Sequence, residues 1–252
     1  MSVFTIKSTD NTTDLYARLI KPLGFDPSKK YPVLVYVYGG PHVQLIQDAW
    51  LGGADMFLHY MASQGYLVFT IDNRGSGGRS LAFEQATFRQ LGEVEMQDQL
   101  AGVKWLKEQS YVDQDRMACF GWSYGGFMTT SMMLRQPGTF KVGVAGGPVI
   151  DWSMYEIMYT ERYMDTPQTN PEGYKKSNLN QYITQLKGKL LIIQGQEDDT
   201  VVPEHSATLL NTSVAKGVIL DYYPYYNHKH NVLGKDRLHL YKKIEDYISR
   251  TL

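Results

Sequence analysis

The chain has 252 residues, enough to bury a sizeable core, and a single α/β domain commonly runs to that length. Its 25 Lys and Arg stand against 26 Asp and Glu for a net charge of −1, so no basic surface is expected for nucleic acid. One cysteine excludes an intrachain disulfide and a cysteine-based zinc site, and no apolar run approaches the roughly 20 residues of a membrane span.

The first twenty residues carry Lys7, Asp10, Asp14 and Arg18, so they contain no apolar signal-peptide core, and any export signal is expected upstream. "VFTIKSTDNTTDLYARLI" reads as a hairpin at the antiparallel edge of a sheet, beginning abruptly as if cut from something longer. Then "YPVLVYVYGGP" and "YLVFTIDNRG" read as strands ending in loops, and residues 93–108 place Met96, Leu100, Val103 and Leu106 at helical spacing. "RMACFGWS", "KVGVAGGP" and "KLLIIQG" are further strands, a helix follows Pro203, "VILDYYP" is a last strand, and the final fifteen residues are helical. Continuous apolar character, rather than alternation, predicts strands buried on both faces. The expected fold is therefore a mostly parallel, doubly wound α/β sheet with helices on both faces and any active site at the carboxyl ends of its strands. No internal repeat or low-complexity linker divides the chain.

Gly121-Trp122-Ser123-Tyr124-Gly125 lies between an apolar strand and a helix. This is the G-x-S-x-G pattern of the α/β-hydrolase nucleophile elbow, where glycines flank a serine held on a sharp turn. The elbow predicts an acid and then a histidine, each after a later strand. "QEDDTVV" offers Glu197, Asp198 and Asp199, and the loop after "VILDYYP" offers His228 and His230. An imidazole there takes the serine proton and returns it to the leaving amine, while the carboxylate fixes its tautomer. His239 belongs to the final helix, away from that strand end. The Tyr124 N–H is a candidate oxyanion donor, and a second donor is expected from "VYGGPH".

Together "VYVYGGPH", "TIDNRGSGG", "GWSYGGFMTT", "AGGPVIDWSMYEIMYTERY", "QGQEDDTVV" and "HNVLGKDRLHLY" resemble the peptidase domain of the prolyl oligopeptidase family. The resemblance is to its dipeptidyl peptidase IV branch, and most closely to the prolyl tripeptidyl peptidases of Bacteroidetes. It implies Ser123 as nucleophile, Asp198 as acid, His230 as base, and the Tyr38 hydroxyl in the oxyanion hole beside the Tyr124 amide. Where relatives commonly read His-Gly before the acid, this chain has Gln194-Gly195; that position is not a triad member, so catalysis is expected to survive the change.

"PVIDWSMYEIMYTERY" sets Trp152, Tyr155 and Tyr159 at spacings of three and four, expected on one helix face and, from spacing alone, in a core. The resemblance instead implies that these three, with Val149 and Val201, wall a pocket for proline, whose flat apolar ring lacks an N–H to satisfy. Glu156 is a candidate partner for a substrate ammonium, and Glu161 and Arg162 offer salt bridges to orient the region. "DNRGSGG" is not a dinucleotide fingerprint, since the third glycine position is Ser80, and the scattered His42, His59 and His205 lack metal-ligand spacing. Cys119 reads as a small buried hydrophobe.

The expected function is a serine exopeptidase cleaving after proline, releasing Xaa-Xaa-Pro, with no cofactor and no metal. Alternatives are a dipeptidyl peptidase, an esterase on the same fold, or a domain whose triad is idle. The resemblance also implies a β-propeller in the full-length protein that this single domain, residues 1–252, does not contain, an exported enzyme, and homodimers formed through the peptidase domain.

Overall fold

A computed structural model describes residues 1–252. Eight strands form one sheet: β1 (Ser2–Lys7), β2 (Asp14–Ile20), β3 (Tyr31–Tyr36), β4 (Leu67–Ile71), β5 (Val112–Trp122), β6 (Val142–Gly146), β7 (Lys189–Gly195) and β8 (Asp221–Tyr225). Their spatial order is β1-β2-β4-β3-β5-β6-β7-β8, with β1 and β2 paired antiparallel at one edge and β3 to β8 running parallel to one another. The hairpin and the parallel body match the sequence reading. Eight α-helices accompany them: α1 (Met56–Ser63), α2 (Leu81–Glu84), α3 (Val94–Lys107), α4 (Tyr124–Arg135), α5 (Ile157–Met164), α6 (Pro171–Ser177), α7 (Glu204–Lys216) and α8 (Asp236–Thr251). None is long and apolar enough to cross a membrane.

Side chains alternate across each strand, so neighbouring residues enter different cores. Val33, Val35, Met117, Cys119 and Ile192 join a cluster of 37 buried residues shared with α3, α4 and α7. Leu34, Ala118, Phe120, Val144 and Ile193 join a second cluster of 20, shared with α1 and α8. Covering both faces explains why the strand sequences read as apolar throughout.

Helix α3 departs from the simple amphipathic pattern. Its buried side includes Glu95, Asp98 and Gln99 as well as Met96, Val103 and Leu106. Each of those polar groups has a partner on a loop at the carboxyl edge of the sheet: Asp98 binds Arg74, and Gln99 donates to Asn73 at 2.8 Å. Asn73 in turn donates to the Gly39 carbonyl at 2.9 Å. The "DNRGSGG" loop is thus a brace for the "YGGP" loop.

The candidate active site

β5 passes into α4 at Ser123, whose backbone lies at φ 61° and ψ −120°. A non-glycine residue there is strained, and the strain is held because neighbouring strands over-determine the turn. The Ser123 N–H donates to the Gly146 carbonyl on β6 at 2.8 Å. On the other side the turn presses against β3: a Cβ on Gly121 or Gly125 would collide with the Val37 carbonyl. Glycine at both places is therefore a steric requirement. Tyr124 is the first residue of α4, so its N–H is among those a helix leaves without an intrahelical partner.

Asp198 follows β7 and is buried, with four hydrogen bonds to its carboxylate. Oδ1 accepts the backbone N–H groups of Thr200 and Val201, both at 2.9 Å. Oδ2 accepts His230 Nδ1 at 2.7 Å and Gln194 Nε2 at 3.1 Å. With Nδ1 engaged, the His230 Nε2 is left to exchange a proton with a nucleophile. His230 and Ser123 line one cavity, and Tyr38 lines it with them. The Trp122 indole donates to the His230 carbonyl at 2.8 Å and ties the loop after β8 to the elbow.

The structure separates the residues that remained alternatives on spacing alone. Asp199 is exposed and bound to Lys229. His228 pairs with Asp236 at 3.1 Å, and His239, on α8, bonds the Tyr225 hydroxyl at 2.8 Å. Tyr38 is half-buried, and burial pushes its phenol up.

The aromatic residues do assemble, but not on one helix as their spacing suggested. Trp152–Met154 is a 3-10 turn capped by Asp151, Tyr155 and Glu156 are extended, and α5 begins only at Ile157. The break folds the segment back on itself. Trp152 is buried, stacked on Tyr159 at 5.9 Å and 10°, and meets Tyr155 edge-on at 5.4 Å. Tyr124 packs against Trp152 at 5.4 Å, so the box adjoins the elbow, and Val149 and Val201 are buried with it. Glu156 is exposed and makes no side-chain bond. Glu161 and Arg162 form no salt bridge; both project from α5 into solvent, and Arg89 pairs with Asp165 in that region instead.

Three groups have supporting partners that the sequence reading did not foresee. Glu95 is fully buried and accepts the Tyr124 hydroxyl at 2.6 Å and the Gly92 N–H at 3.0 Å. Burial pushes its carboxyl up to about 7, against those two hydrogen bonds. Its place on the apolar side of α3 was the available signal. His205, the second, is buried on α7 and accepts the Ile150 N–H at 3.2 Å, bracing the Val149 segment; burial holds its pKa down at about 4, so it is neutral. The third is Gln194, which donates to the Val201 carbonyl at 3.0 Å as well as to Asp198, and accepts the Ser206 hydroxyl at 2.8 Å.

A protein-family model described as the prolyl oligopeptidase family matches residues 55–252. Dipeptidyl peptidase 8 of Mus musculus is 37% identical over 234 residues, covering 91% of this chain and 26% of its own length. Dipeptidyl peptidase 4 of Trichophyton equinum is 39% identical over 227 residues, covering 88% and 29%. Among solved structures, Porphyromonas gingivalis dipeptidyl peptidase 4 superposes with a TM-score of 0.94 at 37% identity, covering 100% of this chain and 35% of that one. A Bacteroides ovatus protein reaches a TM-score of 0.99 at 57% identity, with 100% and 36% covered. The chain spans about a quarter to a third of the length of these relatives.

Two stability predictions follow from the buried polar groups. Between pH 4.5 and about 7 the folded protein holds a proton on Glu95 that the unfolded chain has lost, so stability should fall as pH rises through that window, by up to ~3 kcal/mol. Glu95→Gln should flatten that slope in urea titrations at pH 5 and pH 8. Gln194→Leu leaves Asp198, Val201 and Ser206 short of a partner and should cost ~1–3 kcal/mol in the same assay, with Gln194→His recovering part of it.

Proposed function

The chain belongs to the prolyl oligopeptidase family, and from that membership we propose that it is the peptidase domain of a serine exopeptidase that cleaves after proline near a free N-terminus. One observation carries the reading: Asp198, 32 residues away in sequence, is bonded at 2.7 Å to His230, which lines the same cavity as Ser123. His230 Nε2 takes the proton of Ser123 Oγ as that oxygen attacks the prolyl carbonyl. Asp198 orients the ring and stabilises the imidazolium. The Tyr124 N–H and the Tyr38 hydroxyl donate to the developing oxyanion, and burial keeps the Tyr38 proton in place to do so. His230 then passes its proton to the leaving amine, and water resolves the acyl-enzyme by the same steps in reverse.

In this reading the proline ring enters the box of Trp152, Tyr155, Tyr159, Val149 and Val201. Glu156, exposed beside the box and free of any protein partner, takes the substrate ammonium. The resemblance to the prolyl tripeptidyl peptidases makes Xaa-Xaa-Pro the proposed product. The relatives, dipeptidyl peptidases by name, favour a second reading, release of Xaa-Pro. The rest of the full-length protein is proposed to include a β-propeller that completes the amine site.

A fluorophosphonate should label the protein and fail to label Ser123→Ala. His230→Ala should lose turnover of prolyl substrates by about 10⁴-fold or more, while His228→Ala retains most of it. Mass analysis of products from a proline-containing peptide should show release of a tripeptide. A dipeptide product would establish the second reading, and turnover of acyl esters with no peptide cleavage would sink both.

A further inference from the structure

Glu95 is a buried titratable group that the chemistry described above does not use. It has no solvent exposure, and the nearby Arg135 pairs with Glu93 at 2.5 Å instead. A carboxyl in that setting costs stability unless its hydrogen bonds are made, and here they fix it in one place. One oxygen accepts the Tyr124 hydroxyl at 2.6 Å and the other accepts the Gly92 N–H at 3.0 Å. The Gly92 carbonyl in turn accepts Arg135 Nη1 at 3.1 Å, which ties the start of α3 to the last residue of α4.

The Tyr124 ring that Glu95 grips is also the surface on which the "YGGP" loop rests. Its centroid lies 6.0 Å from that of Tyr38. It fills the space over Gly40, where a Cβ would stand 2.6 Å from Tyr124 Cγ and 2.7 Å from Tyr38 Cε1. The position of this one ring therefore governs both proposed oxyanion donors, the Tyr124 amide and the Tyr38 hydroxyl. We propose that Glu95 is a positioning residue for hydrolysis, which aligns both oxyanion donors beside Ser123 by holding the Tyr124 phenol. The proposal rests on the serine peptidase reading. Because an oxyanion develops only as the reaction proceeds, loosened donors should slow turnover and leave substrate binding nearly unchanged. The proline box keeps other supports, since Trp152 also packs on Phe127, Tyr155 and Tyr159.

The test compares Glu95→Leu, Tyr124→Phe and the double variant in the whole protein that carries this chain. Each single variant leaves a buried polar group without its partner and should lower the urea midpoint. The double variant removes both orphaned groups and should recover much of that stability. Turnover should not recover with it. On a peptidyl-proline anilide all three variants should show kcat lowered about tenfold or more, with KM within about threefold of the unsubstituted protein. A fluorophosphonate offers no proline to the box; Ser123 Oγ displaces its fluoride while the phosphoryl oxygen takes the oxyanion's place. Its rate of labelling should fall by a factor similar to that in kcat. Unchanged kcat in the single variants, or kcat that returns with stability in the double variant, overturns this inference alone. A raised KM with kcat and labelling unchanged also overturns it. Absence of prolyl turnover in the unsubstituted protein overturns the serine exopeptidase reading, and this inference with it.

Discussion

The close approach of the elbow to β3 is the constraint from which the site follows. Ser123 adopts a strained backbone conformation only because Gly121 and Gly125 let the turn touch the Val37 carbonyl while β6 holds the Ser123 N–H. That contact brings the end of β3, and with it Tyr38, beside the serine. It also starts α4 at Tyr124, which leaves that amide without an intrahelical partner next to Ser123. A side chain at either glycine would force the turn away from the Val37 carbonyl and displace Ser123 and Tyr38 from one another.

Around that turn, buried polar groups act as braces for loops that carry chemistry. Gln194 joins Asp198, Val201 and Ser206; Gln99 and Asn73 hold the Gly39 loop; His205 holds Ile150; Glu95 holds Tyr124. Hydrogen bonds in a dry interior are strong when complete and costly when broken, so these groups give the strand-end loops single positions. Gln194 fits this role. An amide supplies both N–H donors and an acceptor, and it does so without titrating.

The sheet itself separates two cores. Residues one apart on β5 face different cores: Cys119 toward α3 and α4, Phe120 toward α1 and α8. At the strand end the same alternation sets the aromatic box on one flank of Ser123 and the cavity shared with His230 on the other.

The amino-acid sequence determined the strands, their order of ends, the elbow and the set of candidate partners, because these depend on apolar runs and on local steric demands at glycine. It did not separate Asp198 from Asp199 or His228 from His230 by spacing, and family register was needed for both. Only the tertiary structure decided the rest. The Trp152 segment broke into a turn and a helix because its rings pack on Tyr124 and on one another, which spacing does not encode. Glu95 and Gln194 gained their roles from partners 29 residues away and on different elements, or across a strand-end turn. Trp122 meets the His230 loop across 108 residues. Side-chain direction and burial at such contacts are set by the packing of the whole sheet, so they appear only once the chain has folded.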